Sequence, residues 1–292
     1  MAGIFSYDEF VTRNIGFVTE AEQRALRGAE LLVLGVGGMG GACVQALARA
    51  GVGGFGLADF DAFEVSNLNR QVFANLDTVG TGKVEATVAQ LRRINPELRL
   101  ATWGAEWVGR LDELLARYKI VVNGMDDVGA ALALYRKARE HGATVIDAYT
   151  APLPSVTVVA PDDPRPEERL GFPTIGIAPS AVTPQALREC VTREIEYVLA
   201  NSSSARHVDL DIAKDLVSGK RKRMSFAPMV ITTGNLMAFE AIKLLLGRAR
   251  PAGPRGYFFN PWTLRVETPR GRIAGAVALF LVRRFLARLM RD

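Results

Sequence analysis

Cysteine and histidine are almost missing from this chain of 292 residues, which has two of each: Cys43, Cys190, His141 and His207. No disulfide framework, no Cys-x-x-Cys zinc pair and no histidine set at metal-ligand spacing can be assembled from them. A reduced, cytoplasmic setting is therefore expected. Long apolar runs are missing too. The longest, Ile273 to Val282, is half the roughly 20 residues that a spanning helix needs, so no transmembrane segment is expected. The first residues, Met1 to Asp8, lack a basic stretch followed by an apolar one, so no secretory leader is expected. Strong charge is also absent. A formal net charge of +5 suits a nucleotide or an acidic partner, and no nucleic-acid partner is expected.

What is present is apolar residue in quantity, 49% of the chain, enough for a sizeable core. Leu31-Leu32-Val33-Leu34 is a short apolar run that stops at glycine, the pattern of a buried parallel strand. Helical spacing follows from Met39 to Ala50. Strands are predicted over Phe55–Phe60, Leu98–Thr102, Ile120–Asn123 and Ala143–Ala148. Helices are predicted over Lys83–Ile94, stopped by Asn95-Pro96, and over Val128–His141. Strand and helix alternate, so the fold class is α/β: a doubly wound, mainly parallel Rossmann-like sheet. Its loops at the strand C-termini should gather on one edge and form the site.

After residue 151 the pattern changes. Ser155–Ala160 reads as an antiparallel strand, and Gly256–Asn260 with Leu264–Thr268 as a hairpin, so antiparallel strands extend the sheet in the C-terminal half. Helices are expected over Ala186–Leu199 and over Met229–Leu246, the latter stopped by Gly247. We divide the chain into a nucleotide-binding part (residues 1–160), a variable partner-facing insertion (161–226), and a C-terminal helix, hairpin and terminal helix completing the same domain (227–292).

Gly35-Val36-Gly37-Gly38-Met39-Gly40 lies between a strand and a helix. Free backbone amides and the helix dipole favour an anion there, and Gly35, Gly37, Gly38 and Gly40 let it approach without a Cβ in the way. Taken alone the motif fits a nicotinamide dehydrogenase as well, with Asp59 as the acid that follows. Asp59 and Asp61 can accept from ribose hydroxyls, and Asp61 serves equally well as a turn or cap residue. Asn67, Asn69, Arg70 and Gln71 separate the readings. Hydride transfer needs no fixed arginine beside phosphates, whereas adenylyl transfer does, because charge builds on phosphate oxygens as the bond breaks. Lys83, in the unfavourable first turn of a helix, adds a second cation or is a plain surface lysine. Asp126, after the fourth strand, is a candidate Mg²⁺ ligand, with Asp127 as the helix cap.

These segments together resemble the ubiquitin-activating-type adenylyltransferases, the ThiF/MoeB/HesA family. The resemblance rests on Gly35–Gly40, Asp59 and Asp61, Ser66–Gln71, Lys83 after Gly80-Thr81-Gly82, Asn123–Asp126, and the late helix from Ala227 through Lys243. It implies ATP and Mg²⁺ as cosubstrates. The acceptor it implies is the C-terminal carboxylate of a ubiquitin-like or sulfur-carrier protein or of a peptide, activated as an acyl-adenylate with release of pyrophosphate. By position it puts Asp59 on the ribose, Asn67 at the phosphates, Arg70 and Lys83 on the phosphates, and Asp126 on the metal. Arg13 stands where relatives carry an arginine that reaches the neighbouring subunit's nucleotide, which implies a homodimer; an ordinary surface arginine is the other reading.

The chain departs from the family in lacking the two Cys-x-x-Cys pairs, so no zinc is expected. Cys190 is a candidate for a thioester or persulfide if a neighbouring arginine lowers its pKa, and otherwise a packing residue, like Cys43. The basic cluster Lys220–Arg223 is either a docking patch for an acidic partner or a solvated loop. Two other functions stay open: an NAD-dependent oxidoreductase, and a non-catalytic nucleotide-binding relative.

Overall fold

The structure is a computed structural model that describes residues 5–209, 211–212, 224–248 and 252–289. Eight strands form one sheet in the order β3-β2-β1-β4-β5-β6-β7-β8. They are β1 (Glu30–Leu34), β2 (Gly54–Ala58), β3 (Arg99–Trp103), β4 (Ile120–Asn123), β5 (Thr144–Asp147), β6 (Ser155–Val159), β7 (Tyr257–Asn260) and β8 (Arg265–Glu267). The first five run parallel; β6, β7 and β8 each join antiparallel to the strand before. Strand order reverses between β1 and β4, and a doubly wound sheet opens its crevice at that switch point.

The period of two along β1 sorts its side chains between two cores. Leu31 and Val33 face the layer made by α3 (Gly38–Arg49), α4 (Lys83–Ile94) and the late helix α9 (Ala227–Leu246). Leu32 and Leu34 face α5 (Leu111–Arg117) and α6 (Val128–Glu140). Cys43 is fully buried in the first core, as expected of a packing residue.

Helix α9 has the length and apolar composition of a membrane-crossing helix. Its actual partner is α3. A Cβ added at Gly234 would stand 2.5 Å from the Met39 carbonyl and 2.6 Å from the Ala42 Cβ, and one at Gly38 would stand 2.7 Å from a Val230 methyl. Small residues thus let two helices touch backbone to backbone. Gly247 ends α9 in the left-handed conformation, φ 57°, where the sequence placed the stop.

Three helices in the first half of the chain had not been foreseen. Helix α1 (Tyr7–Val11) and α2 (Glu20–Gly28) precede the first strand, and α5 lies in the stretch left unread between the third and fourth strands. Helix α2 is begun by a capping box: the Thr19 amide donates to Glu22 at 2.8 Å and the Glu22 amide to the Thr19 hydroxyl at 3.2 Å. Between β6 and α9 the described residues form α7 (Pro166–Arg169) and α8 (Pro184–Asn201), and α10 (Arg272–Leu289) follows the hairpin. The cluster Lys220–Arg223 lies outside the described residues.

Candidate active site at the strand edge

The glycine turn divides into two kinds of glycine. Gly35 leaves β1 at φ +85° and carries the backbone contact with β4: a Cβ on it would sit 2.7 Å from the Gly124 carbonyl carbon. A Cβ on Gly40 would fall 1.9 Å from the Gly35 oxygen, and one on Gly124 would fall 2.3 Å from that same oxygen. These three fix the switch point by close packing. Gly37 is different. It is the N-cap of α3 with no side chain capping it, and a Cβ there would meet only the Gln71 amide at 3.5 Å. The first-turn amides of α3 therefore remain for an anion.

Around the turn, side chains are already engaged. The Asp59 carboxylate accepts from the Val36 amide and from the Asp61 amide, both at 3.0 Å. It ties the end of β2 to the glycine turn. Lys83 explains its own unfavourable place in the first turn of α4. Its ammonium meets the Asp61 carboxylate at 2.7 Å, and its amide donates to the Asp61 carbonyl at 2.8 Å. The lysine side chain is 10% exposed and the aspartate 53%, so the pair presents its acid outward. Of the two roles left open for Asp61, turn residue or ribose ligand, the structure adds a third, counter-ion to Lys83.

In the segment after β2, the buried Asn67 accepts from the Glu64 amide at 3.2 Å. Arg70 donates to the Ser66 carbonyl and to the Asn69 side-chain oxygen, each at 2.8 Å. Asn69 in turn donates to the Ser225 carbonyl at 3.1 Å. The guanidinium is thus held through Asn69 to the residue that leads into α9. The residue of this segment packed against the cradle is Gln71, buried beside Gly37 with its side-chain oxygen unpaired.

On the other side of the switch point, the Asn123 side chain receives the Met125 amide at 3.2 Å and donates to Asp147 at 2.9 Å. Asp127 caps α6 by accepting from the Ala130 amide at 2.6 Å. That leaves Asp126 between the Asn123-anchored turn and the cap. Sequence reasoning missed Asp147 and Tyr135, whose hydroxyl donates to the same Asp147 oxygen at 2.7 Å. Burial pushes the Asp147 carboxyl up and the Tyr135 phenol well above its usual range. The available signal was an aspartate at the C-terminal end of a strand, the same signal that drew notice to Asp59.

Two candidates lie apart from this edge. Arg13, in the turn Thr12–Asn14, is exposed and has no hydrogen bond or ion pair among the described residues. Cys190 is fully buried in a small cluster with Leu132 and Phe172. Burial raises its thiol pKa, the reverse of the activation that a neighbouring arginine would supply.

A 3-2-1-4-5 parallel sheet whose switch point carries an uncapped glycine turn, an acid on the second strand and a buried lysine defines a doubly wound protein with an anion-accepting edge. The chain belongs to the ThiF family, which matches residues 11–274. This settles the ambiguity that the glycine turn left between nicotinamide and adenylyl chemistry. The molybdopterin-synthase adenylyltransferase of Salmonella typhimurium is 31% identical over 246 residues, which is 82% of each chain. Among solved structures, PaaA superimposes with a TM-score of 0.62 at 20% identity, over 92% of this chain and 85% of that one. Escherichia coli MccB, solved with ATP, gives 0.61 at 20% identity over 86% and 66%. At that identity the structural likeness speaks for the fold alone.

Proposed function

We propose that this protein is an ATP-dependent adenylyltransferase that activates the C-terminal carboxylate of a ubiquitin-like or sulfur-carrier protein, or of a peptide. The observation that carries the reading is the family match over nearly the whole chain, joined to an uncapped glycine turn tied to Asp59. A carboxylate is a poor electrophile. Its oxygen attacks the α-phosphorus of ATP, a P–O bond forms, the bond to pyrophosphate breaks, and the acyl group gains a good leaving group. The chain contributes position and countercharge.

In this reading Gly37 and Gly38 admit the phosphates to the α3 amides. Asp59 offers its carboxylate to the ribose. Lys83 and Arg70 balance the charge that collects on the phosphate oxygens, and Asn67 holds the turn that carries Arg70. Asp126 would hold Mg²⁺: one carboxylate on a phosphate-lined edge suits a hard cation that keeps water and phosphate among its ligands. The metal would supply charge neutralisation on the phosphates. Asn123 and Asp147 fix the backbone from which Asp126 projects.

We assign residues 1–160 and 227–292 to the nucleotide-binding body and 161–226 to recognition of the acceptor. An exposed Arg13 with no partner among the described residues of its own chain supports a homodimer in which it reaches across. Two free, buried cysteines suit the cytoplasm. The test is carboxylate-dependent exchange of labelled pyrophosphate into ATP. Exchange is expected in the wild type and should fall by about 100-fold or more in Arg70→Ala and Asp126→Ala; robust exchange in either variant would remove that residue from the site.

A further inference from the structure

A cavity of about 300 Å³ lies between α8 and α10, away from the glycine turn. Six arginines line it: Arg169, Arg193, Arg255, Arg270, Arg272 and Arg283, with Glu196 as the one carboxylate in the lining. Arg283 is paired with Glu196 at 2.9 Å, and Arg193 with Glu189 at 3.0 Å. The other four have no carboxylate partner among the described residues. Arg255 and Arg270 spend one donor each on the carbonyls of Arg270 and Ala200.

Arg169 is the most unusual of them. All three guanidinium nitrogens are buried without an acceptor. The group lies over a pair of tyrosine rings, 4.9 Å from the Tyr197 centroid and 5.6 Å from that of Tyr149. The rings attract the cation through its face and leave its in-plane N–H donors unanswered. Asp147 is near enough to feel the charge but takes no hydrogen bond from it: its oxygens serve Asn123, Tyr135 and the Ala148 amide. A buried cation with no hydrogen-bonded anion is costly, and a guanidinium fork is matched by a carboxylate. Asn201 also lines the cavity, its side-chain amide taken up by the Tyr197 carbonyl and the Arg270 amide. Leu170, Ala200, Ala276, Leu279 and the Tyr197 ring add apolar surface, which disfavours a bare inorganic ion.

We propose that this cavity binds an organic carboxylate, a carboxyl group on a short apolar stem, with Arg169 at its inner end and the exposed Arg255, Arg270 and Arg272 at its rim. The site shares no residue with the glycine turn and stands whether or not the adenylation reading holds. Two sources have this chemistry, a free dicarboxylic acid and a glutamate side chain of a peptide.

Titration calorimetry on the full chain, at constant ionic strength set with NaCl, tests it with glutarate, N-acetyl-glutamate N-methylamide and inorganic phosphate as probes. Glutarate or the capped glutamate should bind, the tighter of the two naming the source, and phosphate at least tenfold more weakly. Affinity should fall at least tenfold in Arg169→Gln. The rim variant Arg255→Gln/Arg272→Gln, which alters only exposed residues, should show the same fall and carries the test if Arg169→Gln does not fold. Absence of binding by both carboxylates, phosphate binding as tight as theirs, or unchanged affinity in the arginine variants overturns the proposal.

Discussion

At the edge of the parallel strands nearly every charge is answered; in the cavity between α8 and α10 it is not. Asp59 sits on two amides, Asp61 on Lys83, and Asp147 on Asn123, Tyr135 and its own chain. At the cavity four arginines are paired with no carboxylate among the described residues. The difference is one of when the electrostatic work is done. The strand edge is set during folding, so a reaction there begins with its dipoles already aimed. The cavity keeps its charge uncompensated in the folded chain, so its field is available to an arriving anion.

The sharpest way to break this contrast is to spoil the packing that sets the edge. Gly40→Ala forces a methyl to 1.9 Å from a backbone oxygen. We expect a loss of about 3 kcal/mol or more in urea unfolding, at the high end for overpacking because backbone is what must move. Next comes Asp126→Ala, for which pyrophosphate exchange should fall by about 100-fold or more, the scale of losing one preorganised charge. Tyr135→Phe strips one hydrogen bond from a half-buried carboxyl and should cost about 1–2 kcal/mol, read from the same unfolding curves. Gly37→Ala is the counterpart of Gly40→Ala: its methyl meets Gln71 at an ordinary 3.5 Å. Stability should change by less than about 1 kcal/mol, while ATP binding, measured by calorimetry, weakens by about tenfold, the loss of one good phosphate contact.

The smallest effect concerns pH and a surface ion pair on the short helix that also carries Arg169. Hydrogen bonds from Arg139 hold the Glu168 carboxyl down at about 2 against an ordinary 4.5. Because the folded value lies below the unfolded one, the stabilisation is complete above about pH 5 and drains away as pH falls toward 2. The group is a third exposed, so solvent screening keeps the contribution under about 1 kcal/mol. In Glu168→Gln the drop in unfolding midpoint between pH 6 and pH 3 should shrink slightly; an unchanged drop would mean the pair with Arg139 contributes nothing.

The parallel half was legible because most of its strands are short apolar runs ended by a polar or glycine residue; the edge strand β3, with Arg99 and Thr102, is the exception. Helix α4 begins at Lys83 and ends at Ile94, as its spacing and the following Asn95-Pro96 predict. The hairpin and the Gly247 stop were legible for the same local reasons. Helix α5 was not: seven residues after a 3₁₀ turn give too few periods to see. In the site, residue types at the end of a strand pointed to Asp59 and at the start of a helix to Lys83 and Asp127. What could not be read was who meets whom. Gln71 beside Gly37, Asn69 on Ser225 and Tyr135 on Asp147 are contacts made by topology, between residues whose separation in sequence carries no period. Arg169 gave no signal, since an arginine at the end of a four-residue helix looks like any surface arginine.

The backbone contact between α3 and α9 has a consequence for how the polypeptide can be divided. A fragment ending before residue 224 would retain every residue of the Gly35–Gly40 motif and still lack the wall against which Gly38 and Met39 are seated. Supplied separately, the two pieces should recover nucleotide binding only on reassociation, so the oldest-looking signature in the molecule depends on a segment nearly two hundred residues downstream of it.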